Sequence, residues 1–130
     1  MKLSTRTRYG TRLLFDLARN YQDGPVQIGE VARRQNISVK YLEQIIRPLK
    51  QAGLVFSVRG PKGGHVLAKP PQEISIGEIV RLLENETCLV GCVSNPEKCG
   101  KADDCRVRQV WREGTQAMYE KLDAVKISDL

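Results

Sequence analysis

The side chains with the most chemical reach are four cysteines, Cys88, Cys92, Cys99 and Cys105, confined to 18 consecutive positions with the spacing Cys-x3-Cys-x6-Cys-x5-Cys. In a reducing compartment such a cluster favours metal binding or redox chemistry over a structural disulfide. Zinc usually draws on close Cys-x-x-Cys pairs that chelate from one turn, and this chain has none. Iron-sulfur clusters tolerate loop-borne thiolates at wider spacing, although the spacing is not that of a ferredoxin. Spacing alone therefore leaves four readings open: a cluster, a zinc site, a thiol-disulfide switch and inert thiols.

The second chemical feature is charge. The 130 residues carry 21 Lys and Arg against 15 Asp and Glu, a formal balance of +6. Residues 1–70 hold 13 basic and 4 acidic side chains, whereas residues 71–130 hold 8 and 11. The first half is thus built to meet a polyanion.

The elements that would present this charge are legible from periodicity. Tyr9, Leu13, Leu14, Leu17, Ala18 and Tyr21 mark an amphipathic helix broken by Gln22-Asp23-Gly24-Pro25. Arg8, Arg12, Asp16 and Arg19 fall largely elsewhere on its wheel. Ile28, Val31 and Ala32 mark a short second helix ending before Asn36, a residue suited to a left-handed C-terminal position. Ser38 is a good N-cap for a third helix with the stripe Leu42, Ile45, Ile46 and Leu49, and Gly53 stands just beyond it. Pro48 predicts a kink or an early end near Arg47.

Two short helices joined this way form a helix-turn-helix, whose second helix presents its polar face to the major groove of DNA. That face carries Val39, Lys40, Glu43, Gln44, Arg47 and Lys50. Leu54 to Val58 and Val66 to Ala68 then read as strands around a glycine-rich tip, Arg59-Gly60-Pro61-Lys62-Gly63-Gly64. Such a hairpin is a wing, and Arg59 and Lys62 on a slim tip suit a minor groove. The tip lacks P-loop spacing, and His65, the only histidine, reads as a strand residue rather than a base or ligand.

In the second half, Ser75 caps a helix with Ile76, Ile79, Val80 and Leu83, and residues from Asn85 to Ala102 lose apolar periodicity. Asp103 or Asp104 is the expected cap of a long last helix with Val107, Val110, Trp111, Met118, Leu122 and Val125 on one stripe. That stripe runs past what a small domain can cover, which predicts a homodimer with recognition helices about 34 Å apart. Gly114 marks an expected close approach between helices, and Cys105 stands near a helix N-terminus, where the dipole favours a thiolate or an anionic cluster.

The expected fold is mainly α with a small β-hairpin: a winged helix-turn-helix at 1–84, a cysteine-rich cluster-binding loop at 85–104, and a dimerisation helix with its tail at 105–130. No apolar run reaches the roughly 18 residues of a membrane span, and the N-terminus lacks a signal-peptide core, so a cytoplasmic protein without a membrane partner is expected. No nucleophile-base pair or paired acidic site points to an enzyme. An adaptor that uses the winged fold without DNA is the rival from another class.

Ser4-x4-Tyr9-Gly10, the run Ile37 to Ile45, the wing Val58 to Gly64, and Cys92, Cys99, Cys105 and Trp111 with the ending Ile127-Ser128-Asp129-Leu130 together resemble the Rrf-two family of bacterial regulators. The resemblance covers essentially the whole chain. It implies a homodimeric winged-helix transcription factor, usually a repressor, controlled by an iron-sulfur cluster that senses cluster status, redox or nitric oxide. Carried over by position, Cys92, Cys99 and Cys105 would hold the cluster, 2Fe-2S or 4Fe-4S. Residues 38 to 44, Tyr41 included, would read bases, Glu43 would help select the operator, and Arg59 with Gly60, Pro61 and Lys62 would meet the minor groove. Where some members place a histidine three residues after the last cysteine this chain has Arg108, and where others place an aspartate before the Tyr9 position it has Arg8. The fourth ligand is therefore open, with Cys88 the local candidate and a metal-free thiol switch the alternative mode of control.

Overall fold

A computed structural model describes residues 1–130 as six helices and one two-stranded sheet. Helix α1 spans Thr5–Arg19 and begins four residues before the Tyr9 periodicity does. The reason is Ser4, whose hydroxyl accepts the Thr7 N–H at 3.2 Å while Thr7 and Gly10 lie buried. A Cβ on Gly10 would stand 2.4 Å from Leu83 Cδ1, so a larger residue there would force the buried Leu83 side chain of the fourth helix to shift.

Helix α2 (Ile28–Gln35) ends on Asn36 at φ 54° and ψ 51°, the left-handed cap expected of it. Helix α3 (Val39–Gln51) starts at Ser38, whose hydroxyl accepts the Tyr41 N–H at 3.1 Å. It runs through Pro48 rather than ending near Arg47. The carbonyl that Pro48 leaves without its helical donor belongs to Gln44, an exposed residue, while Ile45, Ile46 and Leu49 stay buried on both sides of the proline.

Strands β1 (Val55–Val58) and β2 (Gly64–Leu67) pair antiparallel, with Val55 opposite Leu67 and Val58 opposite Gly64. Val26 adds a third rung through mutual backbone hydrogen bonds with His65, at 3.0 and 2.8 Å. That non-local rung ties the wing to the turn before α2. It also explains Gly64, because a Cβ there would lie 2.5 Å from the Val26 carbonyl.

Helix α4 (Ile76–Leu83) is capped by Ser75, as expected, and closes the core from below. Leu13, Leu17, Leu42, Leu49, Ile79 and Leu83 have essentially no exposure. Each such side chain contributes about 1.5–3 kcal/mol of hydrophobic free energy, as an upper bound. The C-terminal 3-10 turn Ile127–Asp129 returns to this same core: Ile127 is buried, and its N–H donates to the Ile74 carbonyl at 2.8 Å.

Between Asn85 and Ala102, where periodicity fails, the chain forms a four-residue helix α5 (Gly91–Ser94) and a 3-10 turn at Pro96–Lys98. Helix α6 (Arg106–Ala124) follows, and its N-cap is Cys105 rather than Asp103 or Asp104, both of which are exposed. The Cys105 sulfur accepts the Arg108 N–H at 3.4 Å. Thr115 and Tyr119 are the buried residues of α6, which packs on α4 where Arg81 meets Asp123 in a bidentate pair at 2.7 and 2.8 Å. Arg81 also lies 4.1 Å over the Tyr119 ring. The expected apolar stripe divides: Val107, Val110 and Trp111 are 56%, 57% and 42% exposed, whereas Met118 and Leu122 are half-buried. Gly114 marks a close approach, but to Leu89 of the cysteine segment, 3.1 Å from a built Cβ, and not to another helix. No helix is long and apolar enough to cross a membrane.

Candidate DNA-binding surface and cysteine segment

Capping and core packing fix which way α3 points. With Leu42, Ile45, Ile46 and Leu49 turned inward, Ser38, Val39, Lys40, Glu43, Gln44, Arg47 and Lys50 are all exposed along one side. Tyr41 differs: it is half-buried, with its ring edge-on to Tyr9 at 5.7 Å and 89°. At the wing tip Arg59, Gly60, Pro61 and Lys62 are exposed, and the Gly63 N–H closes a tight turn on the Gly60 carbonyl at 2.9 Å. Gly60 sits at φ 107°, and a Cβ on Gly63 would strike the Val58 carbonyl at 2.1 Å. Two glycines therefore keep the tip narrow.

The ion pairs of the chain engage Arg34, Lys69 and Arg81. Lys40, Arg47, Lys50, Arg59 and Lys62 pair with no carboxylate, so five unneutralised cations share the α3 and wing surface. Burial, and then the charge of Lys50, hold the His65 imidazole below its ordinary pKa, and its Nδ1 lies 3.1 Å from Ser57 Oγ. It serves the strand, as its place opposite Ser57 in the hairpin requires.

The frame behind α3 rests on a cluster that periodicity does not reveal. Asp16, expected on the polar face of α1, is 3% exposed and accepts hydrogen bonds from Arg34 Nη2 at 2.7 Å, Arg34 Nε at 3.0 Å and Gln35 Nε2 at 3.1 Å. Burial opposes its ionisation, yet the bonds from Arg34 and Gln35 prevail and keep the carboxyl below its ordinary value. This pins α2, the first helix of the helix-turn-helix, to α1.

The cysteines are positioned less completely. Cys88, Cys92 and Cys105 are half-buried and Cys99 is exposed. Arg108 links two of them: its backbone N–H donates to Cys105 Sγ, and its Nε donates to the Cys92 carbonyl at 2.9 Å. Arg108 is a residue sequence reasoning passes over as merely a missing ligand, although its place at the third position of α6 is the available signal. Cys88 lies elsewhere. The next residue, Leu89, donates its N–H to Thr115 Oγ1 at 3.2 Å, and Thr115 is ten residues beyond Cys105, about 15 Å along the helix at 1.5 Å per residue. In kind the donor set fits an iron-sulfur cluster, since three soft thiolates select such centres. In placement the donors are not gathered, because no three His, Cys, Asp or Glu side chains stand together where they could hold a metal ion.

Comparison with known proteins places this geometry in a family. Residues 3–130 match the Rrf2 model, described as an iron-dependent transcriptional regulator. The chain is 43% identical to protein rrf2 of Nitratidesulfovibrio vulgaris over 130 residues, covering all of this chain and 87% of that one. It superposes on the structure of IscR from T. potens with TM-score 0.81 and 36% identity, covering 99% of this chain and 85% of that one. It superposes equally on CymR, the global cysteine regulator of B. subtilis, with TM-score 0.83 and 36% identity, covering 99% and 95%. With its helix-turn-helix, its wing and these end-to-end matches, the chain belongs to the Rrf2 family of transcriptional regulators and is not an enzyme.

Proposed function

We propose that this regulator binds operator DNA as a homodimer and represses transcription, and that an iron-sulfur cluster carried by Cys92, Cys99 and Cys105 governs that binding. Residues 1–84 act as the DNA-binding domain, 85–104 as the cluster-binding segment and 105–130 as the dimerisation helix with its tail. The observation that carries the DNA reading is the set of five unpaired cations on α3 and the wing. Val39 and Gln44 suit base edges in the major groove, and Arg59 suits the minor groove. The exposed Val107, Val110 and Trp111 are the apolar surface that a second copy would cover.

The cluster reading rests on the donor set and on the likeness to the T. potens IscR structure. When bound, the cluster would supply one-electron redox chemistry and reactivity toward small oxidants. Cys99 has to turn in from solvent toward Cys92 and Cys105, and that rearrangement bears on the Arg108 link and on α6, which packs on α4 and so on the DNA-binding core. Cys88, beside the Leu89–Thr115 anchor, is the local candidate for the fourth ligand.

A second reading, a metal-free thiol switch on the same cysteines, is favoured by the likeness to the structure of a global cysteine regulator. The test is selection of a preferred duplex from random sequence, followed by binding of a Cys92→Ser, Cys99→Ser, Cys105→Ser protein to it. A preferred sequence whose affinity changes at least tenfold in the triple variant supports the proposal, and binding indifferent to sequence favours the adaptor reading.

A further inference from the structure

We propose that Arg8 and Arg12 of α1 form a phosphate-binding site for the DNA backbone beside the first turn of α3. The inference rests on the DNA-binding reading and extends the contact surface to a helix outside the helix-turn-helix and wing.

Three observations converge on it. Both guanidinium groups lie over the Tyr9 ring, at 6.0 Å for Arg8 and 5.6 Å for Arg12. The same ring packs edge-on against Tyr41, the third residue of α3, with centroids 5.7 Å apart, so the ring that both cations overlie touches the first turn of the recognition helix. Both arginines are exposed, and neither forms an ion pair, although acids elsewhere neutralise Arg34, Lys69 and Arg81.

The site is also preorganised. Arg12 donates through Nε to Gln35 Oε1 at 3.2 Å and through Nη2 to the Gln35 carbonyl at the end of α2, which fixes its side chain against the helix-turn-helix. Arg8 donates to Thr5 Oγ1 at 3.3 Å and is exposed. Each guanidinium keeps donors free on the outer side, in the planar geometry that suits two phosphate oxygens. Tyr9 holds the cations in place by cation-π attraction, which costs less than desolvating them against a carboxylate. Phosphate contacts set register and add affinity without reading sequence, so the site would strengthen binding to every duplex equally.

The experiment is the salt dependence of binding to a preferred duplex and to a scrambled one, for the full chain and for Arg8→Ala, Arg12→Ala and Arg12→Lys. Each lost phosphate contact should reduce the slope of log affinity against log salt by about 0.9. Arg8→Ala and Arg12→Ala should each show that reduction on both duplexes, with their ratio of affinities unchanged, and Arg12→Lys should keep most of the slope. Arg8 makes only the Thr5 hydrogen bond, so a thermal melt of Arg8→Ala matching the parent's separates lost contact from lost fold. Slopes unchanged in Arg8→Ala and Arg12→Ala, or a loss confined to the preferred duplex, would overturn the proposal. Failure of the parent protein to bind any duplex would overturn the DNA-binding reading beneath it.

Discussion

Replacing Asp16 by alanine tests the pin between α1 and α2. The carboxylate is 3% exposed and receives three side-chain hydrogen bonds, two of them from Arg34. Breaking a fully buried charged pair costs about 3–5 kcal/mol. Arg34 is 31% exposed, so water regains part of its hydration, and the expected cost falls to about 2–3 kcal/mol. At this chain length that lowers the melting temperature by about 8–12 °C.

The pH dependence carries its own sign. The folded-state pKa of Asp16 is depressed relative to about 3.9 in the unfolded chain, so its stabilisation is complete above that value and is lost as pH falls through the folded-state value. The gap in stability between the parent and Asp16→Asn should therefore be widest near neutrality and close in acid. Circular-dichroism melts from pH 7 downward, carried well below the unfolded-state value of about 3.9 to the acid limit of the parent's fold, read both effects. A melting temperature for Asp16→Ala within 2 °C of the parent, or a gap for Asp16→Asn that persists in acid, would refute the reasoning.

Other outcomes follow from single contacts. Lys40→Ala on α3 should change which duplex is preferred, whereas Lys62→Ala at the wing tip should weaken all duplexes and flatten the salt slope by about 0.9, both read by fluorescence anisotropy. Gly64→Ala should cost about 1–3 kcal/mol in a denaturant titration and loosen the Val26–His65 rung, because its Cβ meets the Val26 carbonyl at φ 153°. Cys105→Ser should retain the start of α6, since serine is a good N-cap, while abolishing metal retention; helicity and bound iron measured on one sample separate the two roles of Cys105.

What the sequence makes legible here is local. Ser38 and Ser75 announce their helices, Asn36 its left-handed cap and the glycines their hairpin, because each residue satisfies its own backbone within a few positions. Interactions that span the chain leave no such mark. Asp16 reads as a surface residue because nothing near it in sequence shows that Arg34 and Gln35 will arrive to neutralise it. Val26 reads as a loop residue until His65 pairs with it. Asp103 and Asp104 are the better N-caps by type, yet the chain reaches helical geometry only after Cys105, whose sulfur takes the bond. Cysteine spacing states which donors exist and not where they meet, and Cys88 shows the difference: four residues from Cys92 in sequence, it precedes Leu89, whose N–H is held by Thr115, ten residues beyond Cys105 on α6.

The most direct test of the central claim is the affinity of one anaerobic preparation for its preferred duplex, measured before and after removal of bound metal, with iron and acid-labile sulfide determined on the same sample. The account predicts iron and sulfide in comparable amounts and an affinity that changes at least tenfold when they are lost. Protein that contains neither, resists reconstitution and binds the duplex unchanged when Cys92, Cys99 and Cys105 are all serine would contradict it.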